Sequence, residues 1–163
     1  MIGTISTIMM LAAPILIIAT GGMICERSGV TNVGLDGLMS IGACTAAIVH
    51  QLLEAAGVGR ISLTVALMAA ALVSMLISVL HAIASVDLKS DQTISGTGIN
   101  LLATGITVFV CQRIYGTDRS TEFKMGMVKD GLGFYPTLYI AIVVVVLAWF
   151  ILYKTPFGMH LRA

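Results

Sequence analysis

Apolar residues arrive along this chain in long blocks almost free of charge, each closed by a short cluster of charge or glycine. Five blocks can be drawn, at residues 2–24, 38–53, 61–86, 93–114 and 135–153. A hydrocarbon core roughly 30 Å thick needs about 20 residues at about 1.5 Å of helical rise each. The pattern therefore predicts an all-α, polytopic integral membrane protein with about five transmembrane helices, in a single transmembrane domain over residues 1–163. The second block is short for a crossing and is expected to be a broken or partly sunken span. Pro14 lies in the middle of the first, where the missing N–H kinks a helix. The third is the longest and is expected to tilt. Tyr135, Tyr139, Trp149 and Tyr153 suit the interfacial ends of the fifth.

Two patterns inside the blocks say which faces meet protein. In the third, Ser62, Ala66, Ala70, Ser74, Ser78 and Ala82 form a row of small residues at i+4 spacing that lets backbones approach closely. Such a row drifts about 40° per step on a 3.6-residue helix, so it is expected to serve two neighbours. In the fourth, Thr93, Thr97, Asn100, Thr104, Thr107 and Cys111 keep to one face, away from Ile99, Leu102, Ile106 and Phe109. Asn100 in lipid would be unsatisfied, so this stripe faces protein or water. It is either a helix interface whose threonines bond their own backbone, or the wall of a solute path through Thr97, Asn100 and Thr104.

Composition agrees with the membrane reading: 58% of the residues are hydrophobic, 10% charged, and mean hydropathy is +1.01, against roughly 25% charged in soluble domains. A net charge of +1 gives no basic surface for nucleic acid. Cys25, Cys44 and Cys111 are scattered, without a CxxC pair, and read as packing residues. The sequence has no GxxxxGK[ST] loop, no HExxH and no metal-spaced Cys/His cluster, so neither cofactor nor metal nor catalytic residue is expected. His50 and His81 read as packing or interfacial residues. The first block lacks a basic start and a cleavage pattern and is expected to stay as the first span.

The stretch "CERSGVTNVGLDG", residues 25–37, breaks this monotony. Its glycines disfavour a continuous helix. Irregular backbone at membrane depth survives where protein or a water-filled cavity satisfies it, and such breaks are where transporters hold solutes. Asn32 and Asp36 are therefore candidate solute contacts, with Asp36 equally placed as a helix N-cap. Glu26 and Arg27 are expected to neutralise one another or to lie at the interface.

Three segments together carry a family resemblance: "GGMICERSGVTNVGLDGLMSIGA", "SDQTISGTGINLLATGI" and "KTPFGMHLRA". In that order they resemble successive signatures of the permease subunits of ABC importers, in the nucleoside and simple-sugar branch related to ribose and branched-chain amino acid permeases. The resemblance implies a permease subunit in a bacterial cytoplasmic membrane, forming part of the path of a small polar solute, a nucleoside or purine before a sugar. It also implies an ABC ATPase subunit, a second permease subunit, and an extracytoplasmic solute-binding protein or lipoprotein as partners, within membrane lipid.

Charge leaves orientation open, with Arg27, Lys89, Lys154 and Arg162 on one face and Arg60, Arg113, Arg119, Lys124 and Lys129 on the other. The resemblance places residues 154–163 at the start of the cytoplasmic coupling segment. That puts the N-terminus outside, Glu26 and Arg27 in a cytoplasmic loop, and residues 113–134 in an extracytoplasmic loop able to dock a binding protein. It also makes Thr155, Pro156, Phe157, Gly158 and Arg162 ATPase-coupling candidates: Pro156 to end the fifth helix, Gly158 to permit a turn, Phe157 as an apolar knob. Asp36 stands where the pattern has Glu, and Cys25 where it has Ser. Relatives are expected to be about twice as long, which makes this an N-terminal half: a truncation, a fragment or one part of a split permease. The alternative function is a small oligomeric secondary carrier or channel, or an inactive remnant.

Overall fold

The computed structural model describes residues 2–59, 61–118 and 134–162. It holds α1 (Ile2–Arg27), α2 (Leu35–Ala55), α3 (Ile61–Ala82) with a π-helical turn (Ile83–Asp87), α4 (Gln92–Tyr115), α5 (Pro136–Lys154) and α6 (Pro156–Arg162). Among the described residues there is no strand, and five helices are long and apolar enough to cross a membrane. The all-α, five-span expectation is met. The proposed outer loop and its charges Arg119, Glu122, Lys124, Lys129 and Asp130 fall almost wholly outside the described residues, as does Arg60.

The helices form two compact units. In the first, α1 packs on α5, and α6 follows α5. Ser6, Ala13 and Thr20, seven residues apart, are buried on α1, and Ala141 and Ala148, also seven apart, on α5. Small residues at this spacing make a flat seam on which two backbones come close, the main source of attraction between helices in lipid. α1 runs on through Pro14.

In the second unit α2 is central, packed on α3 along one side and on α4 along another, while α3 and α4 touch little. The small row of α3 thus serves chiefly one neighbour. Ser62, Ala66 and Ala70 are buried, whereas Ala82, at the row's end, is exposed.

α2 is not short. It starts at Leu35, three residues before its apolar block, and spans 21 residues. Hydropathy misplaces its start because Asp36 and Gly37 look like loop, yet both lie in its first turn. Gly34 holds the N-cap position, so Asp36 is not the cap. Its exposed carboxylate sits at the positive end of the helix dipole.

Local chemistry ends the helices. α1 and α2 each finish with a left-handed glycine, Gly29 at φ 81° and Gly57 at φ 77°. Val30 N–H bonds Cys25 O, and Val58 N–H bonds Leu53 O, the paired closure that satisfies last-turn carbonyls. Asp91 caps α4, accepting from Thr93 N–H at 2.8 Å and Ile94 N–H at 3.1 Å. Between α3 and α4, Lys89 holds φ 51°, where a side chain costs roughly 1 kcal/mol.

Candidate functional site

The irregular backbone between α1 and α2 is confined to residues 28–34, narrower than the stretch that the glycines suggest. Only Gly29 of its glycines needs a left-handed backbone. Gly34 and Gly37 are there for space. A Cβ on Gly37 would stand 2.8 Å from Asn100 Oδ1 and 2.9 Å from Asn100 Cα. One on Gly96 would stand 2.8 Å from Gly34 N. Three glycines thus let the start of α2 lie directly on α4.

Asn100 closes this contact with both ends of its amide. Its Nδ2 donates to Val33 O at 2.9 Å, and its Oδ1 accepts from Gly37 N–H at 2.7 Å. The second bond satisfies a first-turn N–H that has no partner within the helix. Asn32 Oδ1 accepts from Gly34 N–H at 3.0 Å, closing the turn before α2. Asn32 and Asn100 therefore act on adjoining backbone, and Asp36 lies in the same first turn, exposed.

Thr97 and Thr104 lie one turn to either side of Asn100 on α4, both exposed. Their hydroxyls bond their own helix: Thr97 Oγ1 donates to Thr93 O at 2.9 Å, and Thr104 Oγ1 to Asn100 O at 2.9 Å. Thr107 Oγ1 bonds Thr104 O at 3.1 Å. At the far end of the stripe Cys111 is buried and within hydrogen-bonding reach of Cys44 on α2, both being free thiols. These two cysteines, which look scattered in sequence, belong to one helix contact.

Polar links that the sequence reading leaves as simple packing tie the rest of the unit. His50 Nδ1 lies 3.1 Å from Ser62 Oγ, and His50 Nε2 lies 3.3 Å from Glu54 Oε1. Ser74 Oγ donates to Leu38 O at 3.2 Å. His81, 4% exposed, has Nδ1 3.0 Å from Ser95 Oγ. These histidines join helices in pairs that no helical periodicity shows. Among the described residues no three His, Cys, Asp or Glu side chains gather to hold a metal ion.

In the other unit, the coupling candidates form an elbow. α5 ends at Lys154, and Thr155 turns extended, at φ −114° and ψ 151°. Pro156 opens α6, as proline suits a first helical position. Thr155 Oγ1 donates to Ile151 O at 2.6 Å and accepts from Gly158 N–H at 3.3 Å, tying both helices. Gly158 has no left-handed backbone. It is glycine because a Cβ there would collide with the Ile151 and Leu152 carbonyls. Phe157 is left 64% exposed on this elbow. Arg162 ends α6, and its side chain lies outside the described residues. Glu26 and Arg27 are exposed at the end of α1 and form no ion pair with one another.

Comparison with known proteins gives this architecture a setting. The family model for the branched-chain amino acid transport system permease component matches residues 4–163. The guanosine ABC transporter permease protein NupQ of Bacillus subtilis is 41% identical over 93% of this chain and 52% of its own. The nucleoside ABC transporter permease protein NupC of Lactococcus lactis is 32% identical over 98% of this chain and 54% of its own. The chain thus spans about half the length of these relatives. No solved structure matches it.

Proposed function

The chain belongs to the family of branched-chain amino acid transport system permease components, and from that membership we propose that it is a multi-pass membrane part of an ATP-driven importer for nucleosides. The nucleoside assignment rests on what the two relatives are named for, guanosine and nucleosides. A simple sugar is the next solute class, because a ribose offers many of the same hydroxyls. The chain works with an ABC ATPase subunit, a second permease subunit and a solute-binding protein outside the membrane.

The observation that carries this reading is the elbow at the end of α5. A membrane span followed at once by a short capped helix, bent back on the carbonyls of α5 and holding an exposed phenylalanine outward, suits a rigid lever for a partner. Fixed aromatic knobs of this kind dominate binding at interfaces. With α6 cytoplasmic, Glu26 and Arg27 share its side and the N-terminus is outside. The polar stretch Asn32, Asp36, Thr97, Asn100 and Thr104 then borders the solute path near the same side.

The test is a cysteine placed at Phe157, with crosslinking to the ATPase that co-purifies with the chain, alongside uptake of labelled guanosine in the same cells. A crosslink, with uptake that depends on ATP and is competed by nucleosides, is the expected result. A chain that purifies without any ATPase, in cells whose guanosine uptake is unchanged by its deletion, overturns the proposal.

A further inference from the structure

A groove of about 370 Å³ runs between α1 and α5, lined by Leu16, Thr20 and Met23 on one side and Trp149 and Tyr153 on the other. Its lining is almost wholly apolar, and Thr20 adds no open hydroxyl, since its Oγ1 donates to Leu16 O at 2.7 Å. The three intervening spans bring α1 and α5 across the membrane in the same sense, so both carboxyl ends emerge on one face. The groove runs along the carboxyl-terminal halves of both helices, ending one turn short of Arg27 on α1 and one residue short of Lys154 on α5.

Both cations are exposed, and neither has a carboxylate partner among the described residues. The Lys154 ammonium lies 5.6 Å from the centre of the Trp149 ring, and the Tyr153 ring lies 6.5 Å from it. That contact holds the ammonium at the mouth of the groove and leaves its N–H donors for an anion.

We propose that this groove binds one membrane phospholipid with an anionic headgroup, its acyl chain along α1 and α5 and its phosphate at Lys154 and Arg27. Two observations select this occupant. An apolar channel ending in cations with no carboxylate partner among the described residues is the chemical complement of an acyl chain ending in an anion. Its aromatic rim lies at the depth where tryptophan and tyrosine meet headgroups. A protein helix in its place would bring carbonyls, not a compact anion, to the two cations. The inference does not depend on the transport reading.

Trp149 is the chain's only tryptophan, which makes the test direct. The full chain is reconstituted in phosphatidylcholine, and its fluorescence is quenched by lipids brominated along the acyl chain. Brominated phosphatidylglycerol is expected to reach Trp149 about threefold more favourably than brominated phosphatidylcholine, a value discounted for two exposed cations at a membrane surface. Lys154→Gln, which leaves Arg27 alone, is expected to lower that ratio, Lys154→Gln combined with Arg27→Gln to bring it to about one, and Lys154→Arg to keep it. Ala19→Phe, which fills the groove and leaves both cations in place, is expected to abolish it too. Equal quenching by both lipids in the native chain overturns the proposal, because it marks an unselective lipid shell. Weak quenching by either lipid also overturns it, because the groove is then covered by protein.

Discussion

Replacing Asn100 with leucine strikes the point where α4 holds the start of α2. Leucine matches the volume closely and makes neither hydrogen bond. Bonds between membrane helices average about 0.6 kcal/mol and reach about 1.7, and an orphaned buried backbone group costs about 1–3 kcal/mol. Asn100 is half-buried, so water relieves part of this, and the two lost bonds to Val33 and Gly37 sum to about 2 kcal/mol. Hydrogen exchange reads it locally: the Gly37 amide is expected to exchange about 30-fold faster in Asn100→Leu, the equivalent of that energy. Amides in the middle of α3 are expected to change little. Asn100→Asp, which keeps the acceptor for Gly37 N–H, is expected to retain most of the protection. An Asn100→Leu protein whose Gly37 amide stays within about threefold of native refutes the clasp. Solute uptake separates the second role: unchanged uptake at unchanged expression removes Asn100 from the solute path and leaves it purely structural.

Glycine substitutions divide sharply. Gly96→Ala is expected to destabilise the chain by about 2 kcal/mol, because its Cβ would press on Gly34 N and Val33. Gly98→Ala, with open space around it, is expected to be neutral or slightly stabilising in thermal unfolding in detergent. Lys89→Gly relieves the left-handed backbone and is expected to raise stability by about 0.5 kcal/mol in the same assay, less than the full strain because glycine gains freedom in the unfolded chain. Asp91→Ala removes the α4 cap and is expected to cost about 1 kcal/mol, whereas Asp91→Asn costs little. Gly158→Ala forces α6 off the end of α5; it is expected to leave membrane insertion intact and to abolish capture of the ATPase in a pull-down, and intact capture contradicts the lever.

Span number was legible because hydropathy acts over long windows, and the end of α5 and the start of α4 fell within two residues of their predicted places. The start of α2 was not legible, since a helix turn held by another helix need not be apolar. Glycine at 34, 37 and 96 announces an unusual need without saying whether the need is conformation or room. Here it is room, and only a partner more than sixty residues away reveals it. The polar stripe of α4 singles out Asn100 as a side chain in need of partners, but the Val33 carbonyl it serves lies 67 residues earlier and leaves no periodic trace. Gly158 suggests a turn in sequence, yet its need too is room, since the carbonyls that exclude a side chain there belong to the end of α5. The small seam Ser6, Ala13, Thr20 escaped notice because larger apolar residues surround it.

The inward bonding of Thr97, Thr104 and Thr107 fixes the polarity of the surface they present. Each hydroxyl proton points back to a carbonyl of α4, so the side that faces out carries oxygen lone pairs alone. Such a strip is proton-poor: it can accept from hydroxyls, amines and ring N–H groups, and it has no hydrogen to give to a carboxylate or a phosphate. A neutral molecule rich in hydroxyl and N–H donors finds acceptors at these three threonines, while an anion finds none of the hydrogens it needs, and this without a charged side chain among them.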